Sequence, residues 1–341
     1  MRYCGLYNKY MYRIALMAAF VLAIATSCEQ QDLNYDYANK KSVRIEVDWS
    51  QFTQETPTGM TVLIYDSGGK AVQTLRSNKL DYVNTSLLPG NYQTVVFNQG
   101  EGEFGTLSLN NLDSYDEASV NAMPYISRWY IKDNDENVVM NPEWFATDAQ
   151  RDLTLNKEMT KGRAVVDTSF TTIASLVPHD VVYTIQINVY LKNIYNLKSA
   201  RASLSGLAGG YLLGLEKPSD AKATQLIEKW TLTADKDNTV NVVLSAEIQS
   251  FGLPNNHKGQ SDENKFMLSL LLVDGKTQLD YTFDVGDQIK LDDNLELTLL
   301  VNSEVSEPLP DVKPEGGSSG AFDPTVEDWG EDEKVNLDQQ E

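Results

Sequence analysis

Apolar side chains recur at every second position in several separate stretches of this sequence, and no other pattern limits the fold as strongly. The alternation is clearest over residues 43–49, 181–191 and 240–248. Successive side chains of a β-strand point to opposite faces, so each stretch is predicted to be a strand with one buried face. In the first stretch the predicted buried residues are Val43, Ile45, Val47 and Trp49.

Turn signals divide the remaining apolar stretches into short strands. Residues 66–69 (DSGG) and 274–275 (DG) each separate two apolar stretches, which predicts two hairpins. Pro89-Gly90 leads into a further strand. Residues 266–272 are apolar on both faces, as expected of a central strand. Many short strands with turns between them predict an all-β sandwich fold.

Two groups of strands predict two β-sandwich domains in tandem, joined near residue 160. Between the clear strands, residues 114–131 lose the alternation and are predicted to be a loop with a helical turn. Residues 199–215 fit either a helix or a strand followed by a turn. The predicted segments are a signal peptide (1–27), a tether (28–42), an N-terminal sandwich (43–160), a C-terminal sandwich (161–305) and an acidic linker and tail (306–341).

The N-terminus predicts export and lipid attachment. Residues 1–13 carry three basic residues and no acid, and the apolar run that follows, residues 14–26, is too short to cross a membrane. Small residues precede Cys28, and this pattern resembles a bacterial lipobox, in which a peptidase cuts between Ser27 and Cys28. The Cys28 thiol would then carry a diacylglyceryl group, with palmitate-type chains anchoring the protein in a membrane. Glu29 and Asp32 just past the cysteine resemble the acidic signal that directs some Bacteroidetes lipoproteins to the outer face of the outer membrane. Met11 is an alternative start.

Composition limits the partners of the exported protein. The chain has 28 basic and 49 acidic residues, and removal of residues 1–27 would leave 25 basic residues against the same 49 acids. This charge argues against nucleic acid as a partner. The acidic tail contains three isolated apolar residues that need a partner within the chain or outside it: Phe322, Val326 and Trp329.

No catalytic or metal-binding motif is present, so the sequence predicts a protein that is not an enzyme and has no cofactor or metal. The two histidines, His179 and His257, are far apart and lie beside predicted loop residues, where solvated side chains are expected. Residues 133–137 have the D-x-D-x-N spacing of a calcium loop. However, Val138 and Trp144 replace the glycine and the glutamate that such a loop requires.

Exposed tryptophans could stack on sugar rings. Trp129 and Trp144 flank the predicted loop 130–143, where a surface for a glycan or a host partner could form. Trp49 and Trp230 lie in alternating strands and are predicted to be in the core.

Taken in order, these parts resemble the fimbrillin-like lipoproteins of Bacteroidetes, which include the subunits and anchors of type V pili. The resemblance rests on the lipobox at Cys28 and on residues 59–69, 87–98, 162–166, 183–194, 203–213 and 316–330. It implies two transthyretin-like Greek-key sandwiches and other pilus subunits as partners. Stalk subunits of this family are cut after an arginine near the N-terminus, and Arg44 is the candidate for such a maturation cleavage, whereas anchors keep their lipid.

Two functions are compatible with these features. The first is a surface lipoprotein that acts as a fimbrial subunit, anchor or accessory component and exchanges strands with its partners. Residues 43–49 could be the strand that is given up or kept, and residues 322–329 the strand that is donated. The second is a glycan-binding lipoprotein of a polysaccharide-uptake system.

Overall fold

The computed structural model describes residues 40–53, 55–132, 135–156, 170–234, 241–254, 263–289 and 299–314. Within these ranges the chain forms strands and two 3-10 turns, Ile194–Asn196 and Gly286–Gln288, so the predicted all-β class is confirmed. In chain order the strands are β1 Lys41–Val47, β2 Met60–Asp66, β3 Ala71–Ser77, β4 Tyr82–Leu87, β5 Gly90–Asn98, β6 Leu107–Asn110, β7 Ser119–Ala122, β8 Val138–Val139, β9 Ala146–Leu155, β10 Thr171–Leu176, β11 His179–Asp180, β12 Tyr183–Lys192, β13 Leu197–Ala208, β14 Gly210–Leu212, β15 Lys217–Pro218, β16 Lys222–Ile227, β17 Thr231–Ala234, β18 Asn241–Ser250, β19 Lys265–Leu272, β20 Gln278–Asp284 and β21 Leu299–Glu304.

These strands form five sheets. The strand orders are β10-β1-β4, β11-β9-β5-β2-β3, β15-β14-β7-β6, β17-β18-β12-β21 and β20-β19-β13-β16-β8. Most neighbours pair antiparallel, but three pairs are parallel: β1 with β10, β12 with β21, and β8 with β16. A parallel pair needs a long crossover connection, so these three pairs join segments that are distant in the sequence.

The five-stranded sheet that contains β2 has an apolar core on each of its faces. Val62 and Ile64 pack in a cluster with the three-stranded sheet, whereas Leu63 and Tyr65 pack in a second cluster with the sheet of β6, β7 and β14. All but the last residue of β2 are buried, which is expected of a strand covered on both sides.

A third core joins the sheets of the C-terminal half. Its centre is the inward face of β12, where the predicted alternation is confirmed and every second residue is fully buried: Ile185, Ile187, Val189 and Leu191. The strand β19 lies between β13 and β20, which confirms the prediction of a central strand. The hairpin turn at residues 274–275 is also found.

Two sequence predictions need correction or refinement. Residues 119–122, predicted as loop, form β7, which is largely buried between β6 and β14. The ambiguous residues 199–215 belong to the strands β13 and β14 and the turn after them, not to a helix.

The predicted boundary near residue 160 falls outside the described residues. The strands β10 and β11 follow that boundary in sequence, yet they pair with β1 and β9, which precede it. The N-terminal sheets therefore include strands from beyond the predicted boundary. The domain limits and the Greek-key detail remain predictions.

Candidate interaction site

The strand β1 is built into the N-terminal core by its alternating sequence. Val43 and Ile45 are fully buried, Val47 and Trp49 are nearly so, and the intervening Glu46 is exposed, which confirms the predicted faces. Burial of each large aliphatic side chain stabilises the fold by about 1.5–3 kcal/mol. The apolar face of β1 is therefore a major part of this core.

Neighbouring strands occupy both edges of β1. Its residues pair parallel with β10 and antiparallel with β4, and the register towards β10 shifts between Arg44 and Ile45. The pairing extends to the last residue of the strand, where the Val47 amide donates to the Asp81 carbonyl (3.0 Å), and one residue beyond it, where the Asp48 amide donates to the Leu176 carbonyl (2.8 Å). The backbone of β1 is thus satisfied on both sides, and its removal would expose two strand edges at once.

Arg44, the candidate for maturation cleavage, lies on the polar face of β1. Its Nε donates to Asn84 Oδ1 at 3.1 Å, and its guanidinium carbon lies 4.0 Å from the ring centre of Tyr82 and 5.5 Å from that of Phe170. The peptide bond after Arg44 is held inside a paired strand. A protease that needs extended, accessible backbone could therefore reach this bond only after β1 has left the sheet.

Trp129 belongs to a polar cluster centred on the carboxylate of Glu228. The indole Nε1 of Trp129 donates to Glu228 Oε1 at 2.6 Å, Ser127 Oγ donates to the same oxygen at 3.3 Å, and Tyr125 OH donates to Oε2 at 3.0 Å. Burial and the carboxylate raise the pKa of Tyr125, which keeps its hydroxyl protonated and able to donate. The Glu228 carboxylate thus accepts hydrogen bonds from three residues of the segment 124–132.

The Trp129 ring also contacts a buried cation. The guanidinium of Arg201, a residue only 5% exposed, lies 4.6 Å from the ring centre, a cation–π distance. Tyr130 packs edge-on against the same ring. Trp129 therefore makes structural contacts within the chain, and its predicted contact with a glycan is not tested by them.

The segment 124–132 presents two large apolar side chains to solvent. Ile126 is 93% exposed and Ile131 is 81% exposed, while Trp129 between them is held by Glu228. Neither isoleucine nor Glu228 was identified from the sequence. The sequence feature that could have indicated this surface is an isoleucine on each side of Trp129, in a segment where apolar and polar residues do not alternate.

Replacing Glu228 with alanine is expected to lower the free energy of unfolding by about 2 kcal/mol, because hydrogen bonds to a charged group are lost and the indole N–H loses its acceptor. The measurement is urea unfolding, with hydrogen exchange over residues 124–132. Glu228→Gln keeps a carbonyl acceptor and should lose about half as much. Equal stability of the alanine variant and the wild type would contradict this role.

Trp144 contacts a different part of the chain. Its ring packs edge-on against Phe52, with 5.3 Å between ring centres, beside the N-terminal core. The structure gives Trp144 and Trp129 separate sets of partners and does not join them in one platform.

Three further residues of the predicted sites, Ser27, Cys28 and Trp329, lie outside the described residues. A search of the described residues found no helix long and apolar enough to span a membrane.

His179 is not the solvated loop residue that its sequence context predicted. It begins β11, is half-buried, and lies beside Asp148 of β9 and Glu216 of the turn after β14. A ligand atom from each residue lies within 4.8 Å of the other two. Burial lowers the pKa of His179, while burial and the nearby Asp148 raise the pKa of Glu216. Among the described residues, these three side chains are the set that could hold a metal ion. His257 lies outside the described residues.

Comparison with solved structures identifies the class of fold. A candidate adhesin from Bacteroides ovatus is similar with a TM-score of 0.52 and 16% sequence identity, covering 84% of this chain and 99% of that chain. The predicted resemblance to fimbrillin-like proteins is confirmed at the level of the fold. The fimbrial anchor protein Mfa2 from Porphyromonas gingivalis is also similar, with 11% identity over 77% of this chain and 89% of that chain, but its TM-score of 0.43 is too low to support an inference.

Comparison of the sequence with protein families identifies the family itself. The family described as Domain of unknown function (DUF5119) matches residues 27–228, which is more than half of the chain. The chain belongs to this family. Comparison with curated proteins found no match.

Proposed function

We propose that this chain is a cell-surface component of a fimbrial or adhesive assembly, acting as a pilus subunit, anchor or accessory protein. The proposed contacts with other pilus subunits are made by strand complementation. One observation carries the proposal: the first strand after the predicted tether, β1, is the middle strand of a three-stranded sheet and fills its core with alternate side chains. The fold shared with the candidate adhesin of B. ovatus supports it.

The physical basis is the slot that β1 occupies. A sheet without this strand would present unpaired N–H and C=O groups on both β10 and β4, next to apolar pockets for Val43, Ile45 and Val47. An incoming strand with apolar residues at every second position would satisfy the backbone and fill the pockets together. The same slot therefore serves a retained β1 in an anchor and a donated strand in a stalk subunit.

The proposed location is the cell surface, with attachment to the outer membrane through lipid on Cys28. The basic, apolar and small-residue segments that end at Cys28 support this attachment. Residues 29–40 would serve as the tether, because β1 begins at Lys41, two residues earlier than the sequence predicted. The predicted maturation site, Arg44, lies within that strand.

The test is to shear fimbriae from cells of the source bacterium and to sequence the N-terminus of this chain in the sheared and membrane fractions. The proposal expects the chain in one of these two fractions, together with other pilus subunits. A lipid-blocked Cys28 would identify an anchor or accessory protein, whereas a free terminus at Ile45 would identify a stalk subunit. Cys28→Ser is expected to release the chain from the membrane fraction.

Some outcomes would overturn this proposal. One is a chain that never co-purifies with pilus subunits and instead binds a polysaccharide column in a manner abolished by Trp129→Ala or Trp144→Ala. That result would favour the alternative function, a surface glycan-binding lipoprotein. A variant such as Phe52→Leu, which disturbs the packing around Trp144 but keeps that ring, serves as the matched control for general damage to the fold.

A further inference from the structure

Two carboxylates and one imidazole meet where two N-terminal sheets join. Asp148 lies on β9, His179 begins β11 at the edge of the same five-stranded sheet, and Glu216 lies in the turn between β14 and β15 of the adjacent four-stranded sheet. The three residues are distant in sequence. Only the packing of the two sheets brings their ligand atoms within 4.8 Å of one another.

Backbone amides orient both carboxylates. The Val177 amide donates to Asp148 Oδ2 at 2.6 Å, and the Ala149 amide donates to Asp148 Oδ1 at 2.8 Å and to Glu216 Oε1 at 3.3 Å. Hydrogen bonds of this kind fix the direction of metal-binding side chains in known sites. Glu216 also has a positive φ of 49°, a conformation that is uncommon for a residue other than glycine.

The charges of this cluster are not balanced by a basic side chain. Within the described part of the chain, neither Asp148 nor Glu216 forms an ion pair with lysine or arginine, and the two carboxyl groups face each other. Asp148 and His179 are half-buried and Glu216 is exposed, so the cluster opens to solvent on the side of Glu216. A cation or a shared proton between the two carboxylates would therefore stabilise this arrangement.

We propose that Asp148, His179 and Glu216 bind a divalent transition-metal ion, for which Zn²⁺ is the best fit, and that the ion fastens the β14–β15 turn to β9 and β11. An imidazole ligand favours zinc-like ions over calcium and magnesium, which prefer oxygen ligands and, for calcium, six to eight of them. Zinc is commonly held by three protein side chains with a water in the fourth position. Ligands at about 2.1 Å from a tetrahedral ion lie about 3.4 Å apart, so a small closure of the cluster would complete the site.

The test measures zinc binding and thermal stability of the full-length protein after treatment with EDTA. ZnCl₂ is expected to bind with one tight site per chain and to raise Tm by about 5 °C at a hundredfold excess over the dissociation constant, because the ion binds the folded state. EDTA should reverse the rise, and CaCl₂ at the same concentration should not reproduce it.

Two variants and one control distinguish this site from other acidic groups of the chain. His179→Gln and Glu216→Gln are each expected to abolish the tight site and the rise in Tm. The glutamine at position 216 can still accept the bond from the Ala149 amide and removes a like charge, so the metal-free variant should be at least as stable as the wild type. Asp220→Asn, which changes an exposed carboxylate outside the cluster, should retain the full effect.

Three results would overturn the proposal. The first is no tight zinc site in the wild type, which would leave a shared proton as the explanation of the paired carboxylates. The second is zinc stabilisation that survives in both glutamine variants, which would place the ion elsewhere. The third is an equal rise in Tm with calcium. None of these results bears on the proposed fimbrial role, because that role does not depend on these three residues.

Discussion

Replacing Ile45 with aspartate is expected to lower the free energy of unfolding by more than about 4 kcal/mol and to open the N-terminal core. Ile45 is fully buried on the middle strand of a three-stranded sheet, so the aspartate would be a charge without a partner among apolar side chains. Urea unfolding monitored by tryptophan fluorescence would measure the loss, since Trp49 is part of this core.

The neighbouring residue provides the control. Glu46 is exposed on the opposite face of β1 and accepts a hydrogen bond from Thr172 Oγ1 at 3.1 Å. Glu46→Gln keeps an acceptor and should change the free energy of unfolding by less than about 0.5 kcal/mol. A synthetic peptide of residues 42–49 should restore stability to the Ile45→Asp protein, whereas the same peptide with aspartate at position 45 should not. Equal stability of the two protein variants would contradict the core role of β1.

Replacing Gly210 with alanine is expected to lower the free energy of unfolding by about 3 kcal/mol. Gly210 begins β14 and lies opposite Asn121 of β7. A Cβ atom at this position would overlap the carbonyl oxygen of Val120 and the side-chain oxygen of Asn121. Because backbone atoms cannot move aside as a flexible side chain can, β7 and β14 would have to separate. Thermal unfolding would report the loss.

Gly102 is the matched control for the same substitution. A Cβ atom there would meet nothing within 4 Å. Gly102→Ala should therefore be neutral or slightly stabilising, because alanine reduces the freedom of the unfolded chain. If both alanine variants had the same Tm, the close approach of β7 to β14 would not be a constraint on this fold.

Local patterns predicted the strands whose burial depends on alternation. The faces of β1 and β12 follow directly from apolar residues at every second position, and β19 was recognisable as central because both of its faces are apolar. In contrast, β7 has only four residues, SVNA, and is buried by the strands on either side of it. A strand this short carries too little alternation to be distinguished from a loop.

The assembly of strands into sheets could not be predicted in the same way. The buried sequence of β2 is compatible with cores on both faces, but only the fold shows which sheets supply them. The cluster of Asp148, His179 and Glu216 also depends on how the sheets pack, since nothing in the sequence around each residue indicates the other two. The position of Glu228 beneath Trp129 is likewise a product of tertiary packing.

The parallel pairing of β1 with β10 has a consequence for the time course of folding. Val43 lies opposite Thr171, so this contact closes one of the longest loops in the N-terminal part of the chain. Contacts between residues far apart in sequence form slowly, because the entropy of loop closure is lost before the contact stabilises the fold. If the chain is exported from its N-terminus, as the proposed lipid attachment requires, β1 would emerge early, and its second edge would be covered only after β10 had followed. β1 would then be available to partners for a period whose length depends on the rate of this late pairing step.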